Sequence, residues 1–158
     1  MNRIQKITGC LLVGAALYSP KADEVLTFDE RVVALTILGE ARGEGQIGMR
    51  AVGCVIQNRM NKLKEPFSGK PMDAAKVCLL PKQFSIWNGI RRESELYYLW
   101  DSKSMPYARK LARLVCKQKV EDITGGATHF CTLKTNPYWA KCKKPTKVIG
   151  NHKFFKIN

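Results

Sequence analysis

The chain has 158 residues, 45% of them hydrophobic and 25% charged. That is enough for one domain with its own core and argues against a disordered chain. Lys and Arg number 27 against 13 Asp and Glu, a net charge of +14, so anionic partners are favoured, whether nucleic acid, membrane or wall polymer.

The N-terminus reads as an address. Arg3 and Lys6 precede an uncharged, mostly apolar run from Ile7 to Tyr18, which is followed by Ser19, Pro20 and Lys21. A basic start and an apolar stretch of this length fit an export signal, although no clean A-x-A site precedes Asp23. Residues 1–22 are therefore expected to be a signal peptide or a short anchor, and residues 23–158 the working domain. The run is too short for a full membrane span. Beyond Cys10, the five cysteines Cys54, Cys78, Cys116, Cys131 and Cys142 form no C-x-x-C motif, and no pairing can be read from them.

Thr27-Phe28-Asp29-Glu30 is a capping box, and Phe28, Val32 and Leu35 repeat at helical spacing. A helix is predicted from Phe28 to Leu38, ending near Glu40 where Gly39, Gly43 and Gly45 punctuate the chain. A second helix is predicted from Gln46 to Met60. It is apolar on more than one side, which suggests a central, buried position. Its Gly48 and Gly53 cost helix stability, so another backbone is expected to pack closely there.

A short helix is expected from Pro71 to Leu79, a loop through residues 81–89, a helix around Glu93 to Trp100, and a clearer helix opened by Ser104 and Pro106. Tyr97, Tyr98 and Trp100 read as core residues. After Gly125-Gly126 the pattern becomes extended, with a hairpin predicted around Gly150-Asn151. Lysines are mildly concentrated at Lys141, Lys143, Lys144 and Lys147. The fold class is mainly α (α+β), with a small β-hairpin region in the C-terminal third.

Glu40 is the residue with the clearest chemical potential. A carboxylate at the end of a buried helix opposes the helix dipole, and burial disfavours its charge. A protonated carboxylic acid is what glycosidic cleavage requires. The plain alternative is a surface glutamate paired with Arg42 or Arg50.

Three ordered blocks give this residue a context. The first is Gly39-Glu40-Ala41-Arg42-Gly43-Glu44 with Gly48, Ala51-Val52, Val55-Ile56 and Asn58-Arg59. The second is Gln83-Phe84-Ser85-Ile86-Trp87. The third comprises Gly126-Ala127-Thr128-His129-Phe130, Pro137-Tyr138-Trp139-Ala140 and Ile149-Gly150-Asn151-His152-Lys153-Phe154-Phe155. Together they resemble the SleB-like cell-wall hydrolases, a family that includes spore-cortex-lytic and phage lysis enzymes.

The resemblance implies a lysozyme-like helical fold with a long groove. It also implies cleavage of the β-1,4 bond between N-acetylmuramic acid and N-acetylglucosamine in peptidoglycan, without metal or cofactor, and makes Glu40 the catalytic acid. Action as a lytic transglycosylase is favoured, because a second carboxylate is hard to find; Glu44 is the nearest candidate, either in that role or as loop support together with Asn58. A hydrolytic muramidase and a non-catalytic basic wall-binding protein are the alternatives.

Gln83, Ser85, Trp87, Tyr138 and Trp139 are the candidate sugar contacts, since sugars present apolar faces and hydroxyls together. Phe84 is expected to fill the core. His129 and His152 with Cys131 and Cys142 match no recognised zinc spacing, so a structural role is expected for them. Peptidoglycan strands are the expected partner, with electrostatic contact to anionic wall polymers or membrane. Nothing in the motifs points to nucleic acid. A monomeric, exported protein is expected.

Overall fold

The computed structural model of the chain describes residues 25–157. The expected signal segment and Cys10 lie outside them. Among the described residues no helix is long and apolar enough to cross a membrane.

Helix α1 spans Phe28–Ala41. Its capping box forms as the sequence predicts: Glu30 N donates to Thr27 Oγ1 (3.2 Å) and Thr27 N donates to Glu30 Oε2 (2.9 Å). Such a cap contributes about 1 kcal/mol. Every residue from Val32 to Leu38 is buried, so α1 is the central rod of the domain.

Helix α2, Gly45–Lys62, packs beside it. The close approach expected at its glycines is made by side chains, not by a backbone. A Cβ on Gly53 would lie 3.2 Å from Val115 Cγ2 and 3.5 Å from Leu111, both on helix α4 (Met105–Cys116).

The remaining segments wrap these three helices. Helix α3 is only Ala74–Leu79. The residues before it are extended, with Lys64 and Pro71 bridged antiparallel, so the helix cannot begin at Pro71 as expected. Residues Glu93–Asp101 form 3-10 turns instead of an α-helix. A three-residue period turns Leu96 and Leu99 inward and leaves Tyr97 and Tyr98 exposed, contrary to the core role expected for them. Trp100 packs against the core from its edge.

The C-terminal third holds a small antiparallel sheet of β1 (His129–Thr132), β2 (Lys147–Ile149) and β3 (His152–Phe155). The strand order is β1-β3-β2. The β2–β3 hairpin turns at Gly150-Asn151 as predicted, and β1 adds to the far side of β3, pairing His129 with Phe155 and Thr132 with His152. Phe154 and Ala127 pack on Ala51 and Val55 of α2 and hold the sheet against that helix. The result is a mainly helical domain with a cleft where the end of α1 faces the sheet.

Candidate active site

Glu40 sits in the last turn of α1, half-buried. Its Oε1 accepts two hydrogen bonds, from Ser85 Oγ and from the backbone N–H of Ile86, both 2.9 Å. With one oxygen engaged twice, a proton on this carboxyl group belongs on Oε2. The residue before it must be small. A Cβ on Gly39 would lie 2.6 Å from Ile86 Cβ, so the glycine lets the donor segment close onto the acid.

That segment, the 3-10 turn Ser85–Trp87, is held from below. Phe84 is 2% exposed, with its ring 6.3 Å from that of Phe130 on β1. The Arg59 guanidinium lies 4.7 Å over the Phe84 ring. Arg59 is itself buried near the end of α2; its Nε donates to Thr128 O (2.6 Å) and its Nη1 to Gln83 O (3.3 Å). One side chain thus joins α2, the donor segment and the approach to β1. Burial lowers its pKa to about 10, and the neighbouring Glu40 charge works the other way, so Arg59 stays cationic at neutral pH.

Around Glu40 opens a cleft of about 430 Å³. Lys82, Gln83, Ser85 and Asn88 line one wall. His129, Cys131, Thr132, Thr135, Trp139 and His152 line the other, with Arg59 and Phe130 also bordering it. Trp139 is fixed by His129 (ring centroids 5.1 Å apart) and by an edge contact with Phe155 (5.5 Å). Burial first, and then the charges of Arg59 and Lys62, push His129 below the ordinary histidine value, so it is neutral at pH 7. Glu40 is the one carboxylate among the described residues lining the cleft. Among those residues no group of three or more His, Cys, Asp and Glu side chains is placed to hold a metal ion.

The other residues singled out in the sequence divide. Gln83, Ser85 and Trp139 line the cleft with Glu40. Trp87 does not: its indole N–H donates to Thr36 Oγ1 (2.8 Å), which turns the ring against α1 and into a separate hollow. Tyr138 is also outside the cleft and 88% exposed. Glu44 does not line the cleft with Glu40. Its carboxylate accepts from Asn151 N (2.8 Å) and Asn151 Nδ2 (3.1 Å), which ties α2's start to the β2–β3 turn. Asn58 donates to Ala127 O (3.0 Å) and steadies the strand approach.

Lys82, Asn88, Thr132 and Thr135 were not singled out. Lys82 and Asn88 flank the second block, and that adjacency was the available signal. The two threonines carry no pattern of their own.

The profile of the Cell Wall Hydrolase family matches residues 43–155, beginning just after Glu40. Among solved structures, the chain is similar to the catalytic domain of the germination-specific lytic transglycosylase SleB from Bacillus anthracis. The TM-score is 0.61 at 24% identity, over 87% of this chain and 100% of that one. It is also similar to the catalytic domain of the Bacillus cereus SleB protein, with TM-score 0.59 at 26% identity, over 81% and 89%. No curated protein matches the chain.

Proposed function

The chain belongs to the Cell Wall Hydrolase family, and on that premise we propose that it cleaves the β-1,4 bond between N-acetylmuramic acid and N-acetylglucosamine in peptidoglycan, as a lytic transglycosylase with Glu40 as its acid and base. The observation that carries this reading is the solitary carboxylate in the cleft. A two-carboxylate hydrolase needs a second acid within about 5–9.5 Å as nucleophile or base for water. The nearest candidate, Glu44, is occupied by Asn151.

One carboxyl group suffices when the substrate supplies its own nucleophile. Glu40 Oε2 gives its proton to the glycosidic oxygen as the bond to muramic acid C1 breaks. The muramic acid C6 hydroxyl then bonds to C1, and Glu40 takes that hydroxyl's proton. The acid is restored, no water is consumed, and the product carries a 1,6-anhydro end. Ser85 Oγ and Ile86 N keep the carboxyl plane fixed through both transfers. Gln83, Asn88, Thr132 and Thr135 supply amide and hydroxyl partners for sugar hydroxyls, and Trp139 an apolar face. Action on the wall requires export, which residues 1–22 would direct.

The test is digestion of purified peptidoglycan by the protein and by Glu40→Gln, with fragments weighed by mass spectrometry. Wild type should release anhydro-muropeptides, and the variant should be slower by about 10² to 10⁴-fold. Reducing ends in place of anhydro ends would show a muramidase. Unchanged cleavage by the variant would remove Glu40 from the mechanism, and binding without cleavage by both proteins would show a wall-binding protein.

A further inference from the structure

The net charge of the protein is unevenly distributed. Residues 123–158 contain seven lysines and no Asp, Glu or Arg. Five of the seven, Lys134, Lys141, Lys143, Lys144 and Lys147, fall in the segment 134–147, and all five are exposed. Among the described residues none of them has a carboxylate within salt-bridge distance.

This segment is built, not slack. Ala140 is buried, and Trp139 is wedged between His129 and Phe155. Backbone hydrogen bonds from Lys141 N to Tyr138 O (3.2 Å) and from Lys143 N to Ala140 O (3.1 Å) curl the chain there. Thr146 fixes the far end, its N donating to Phe154 O (2.8 Å) and its Oγ1 to Thr124 O (2.6 Å). Between these anchors Lys141, Lys143 and Lys144 are exposed, with Lys141 Nζ 5.8 Å from the centre of the exposed Tyr138 ring. The like charges along this segment repel one another, so an anion settling among them is drawn in.

We propose that segment 134–147 is an arm that holds the carboxylates of the peptide stems on the same glycan strand that fills the cleft. The proposal rests on the peptidoglycan reading above. Position selects this occupant. Thr135 and Trp139 belong both to the arm and to the cleft wall, so the lysines lie beside a bound strand. Stems branch from every muramic acid and carry free carboxylates, which places anions there whenever the sugars are bound. A phosphodiester wall polymer has no such registration with the cleft. Lysine suits flexible stems, because it presents a point charge on a mobile chain and needs no fixed bidentate geometry.

The test compares the full chain with the triple variant Lys141→Gln, Lys143→Gln, Lys144→Gln on two substrates. One is peptidoglycan freed of phosphodiester polymer but keeping its stems; the other is the same strands after an amidase has removed the stems. The variant should melt with the wild type, show a KM about tenfold higher on stem-bearing strands at unchanged kcat, and match wild type on bare strands. Equal KM for both proteins on stem-bearing strands overturns the proposal. So does an equal loss on bare strands, which would mean that the lysines contact sugar. A loss seen only when the phosphodiester polymer is left in place assigns the arm to that polymer instead. Co-sedimentation of the Glu40→Gln protein, with and without the three lysine changes, reads stem binding apart from cleavage. If wild type cleaves neither substrate, the catalytic reading fails while the arm is still judged by that binding difference.

Discussion

At the scale of single residues, the site depends on how closely Ile86 approaches Glu40. Gly39 makes that approach possible, and two energies compete when it is replaced by alanine. Helix propensity favours alanine by about 1 kcal/mol. Against it stands the collision of the new Cβ with the Ile86 side chain, and overpacking of this kind costs about 1–3 kcal/mol. The collision wins, and it acts on the residue whose N–H holds the acid. Gly39→Ala should therefore lower stability by about 1 kcal/mol in a urea melt and reduce kcat by about 10²-fold, with little change in KM. A stabilised variant of normal activity would show that the donor segment yields freely.

At the scale of elements, Glu44 joins the helical and sheet halves, and Asp122 closes the loop that leads from α4 to β1. Donation from Asn151 N and then its side-chain amide holds Glu44 below its ordinary value of 4.5. For Asp122, burial works against ionisation, but hydrogen bonds from Thr124 and Gly126 outweigh it and keep the group below 3.8. A lowered folded pKa gives stability that is complete above the unfolded value and is lost as pH falls through the folded one. The melting temperature should hold steady from neutral pH to about 5 and then fall through pH 4 and below. The double variant Glu44→Gln, Asp122→Asn should melt lower at pH 7 and show a shallower acid limb. Parallel limbs for the two proteins would mean that neither group is linked to folding.

The elements were unequally legible in the sequence. Helices α1 and α2 announce themselves through a capping box and a repeated apolar spacing, which are local signals. The Glu93–Asp101 turns were misread because α and 3-10 periods differ by less than one residue over so short a stretch. The hairpin was visible in Gly150-Asn151, but the pairing of β1 with β3 joins residues twenty or more apart and leaves no local mark. In the cleft, Glu40 could be named from its context. Trp87 could not be oriented, because the hydroxyl that captures its indole lies on α1, at Thr36.

At the scale of the molecule, the sheet supplies the wall opposite Glu40, and its order makes β3 the middle strand. β1 and β2 each pair with β3 and not with one another. The main apolar cluster of α1, α2 and α4 takes Phe130 of β1 at its edge and is otherwise built from the helices and the turns around them. A chain stopped after Asn151 should keep most of its helical circular dichroism yet release no muropeptides from peptidoglycan. Activity in that shortened chain would show that the sheet is dispensable. During synthesis the same geometry sets an order of events: a ribosome lays down the acid and the helices early, but the opposing jaw has nothing to assemble on until residues 152–155 have emerged.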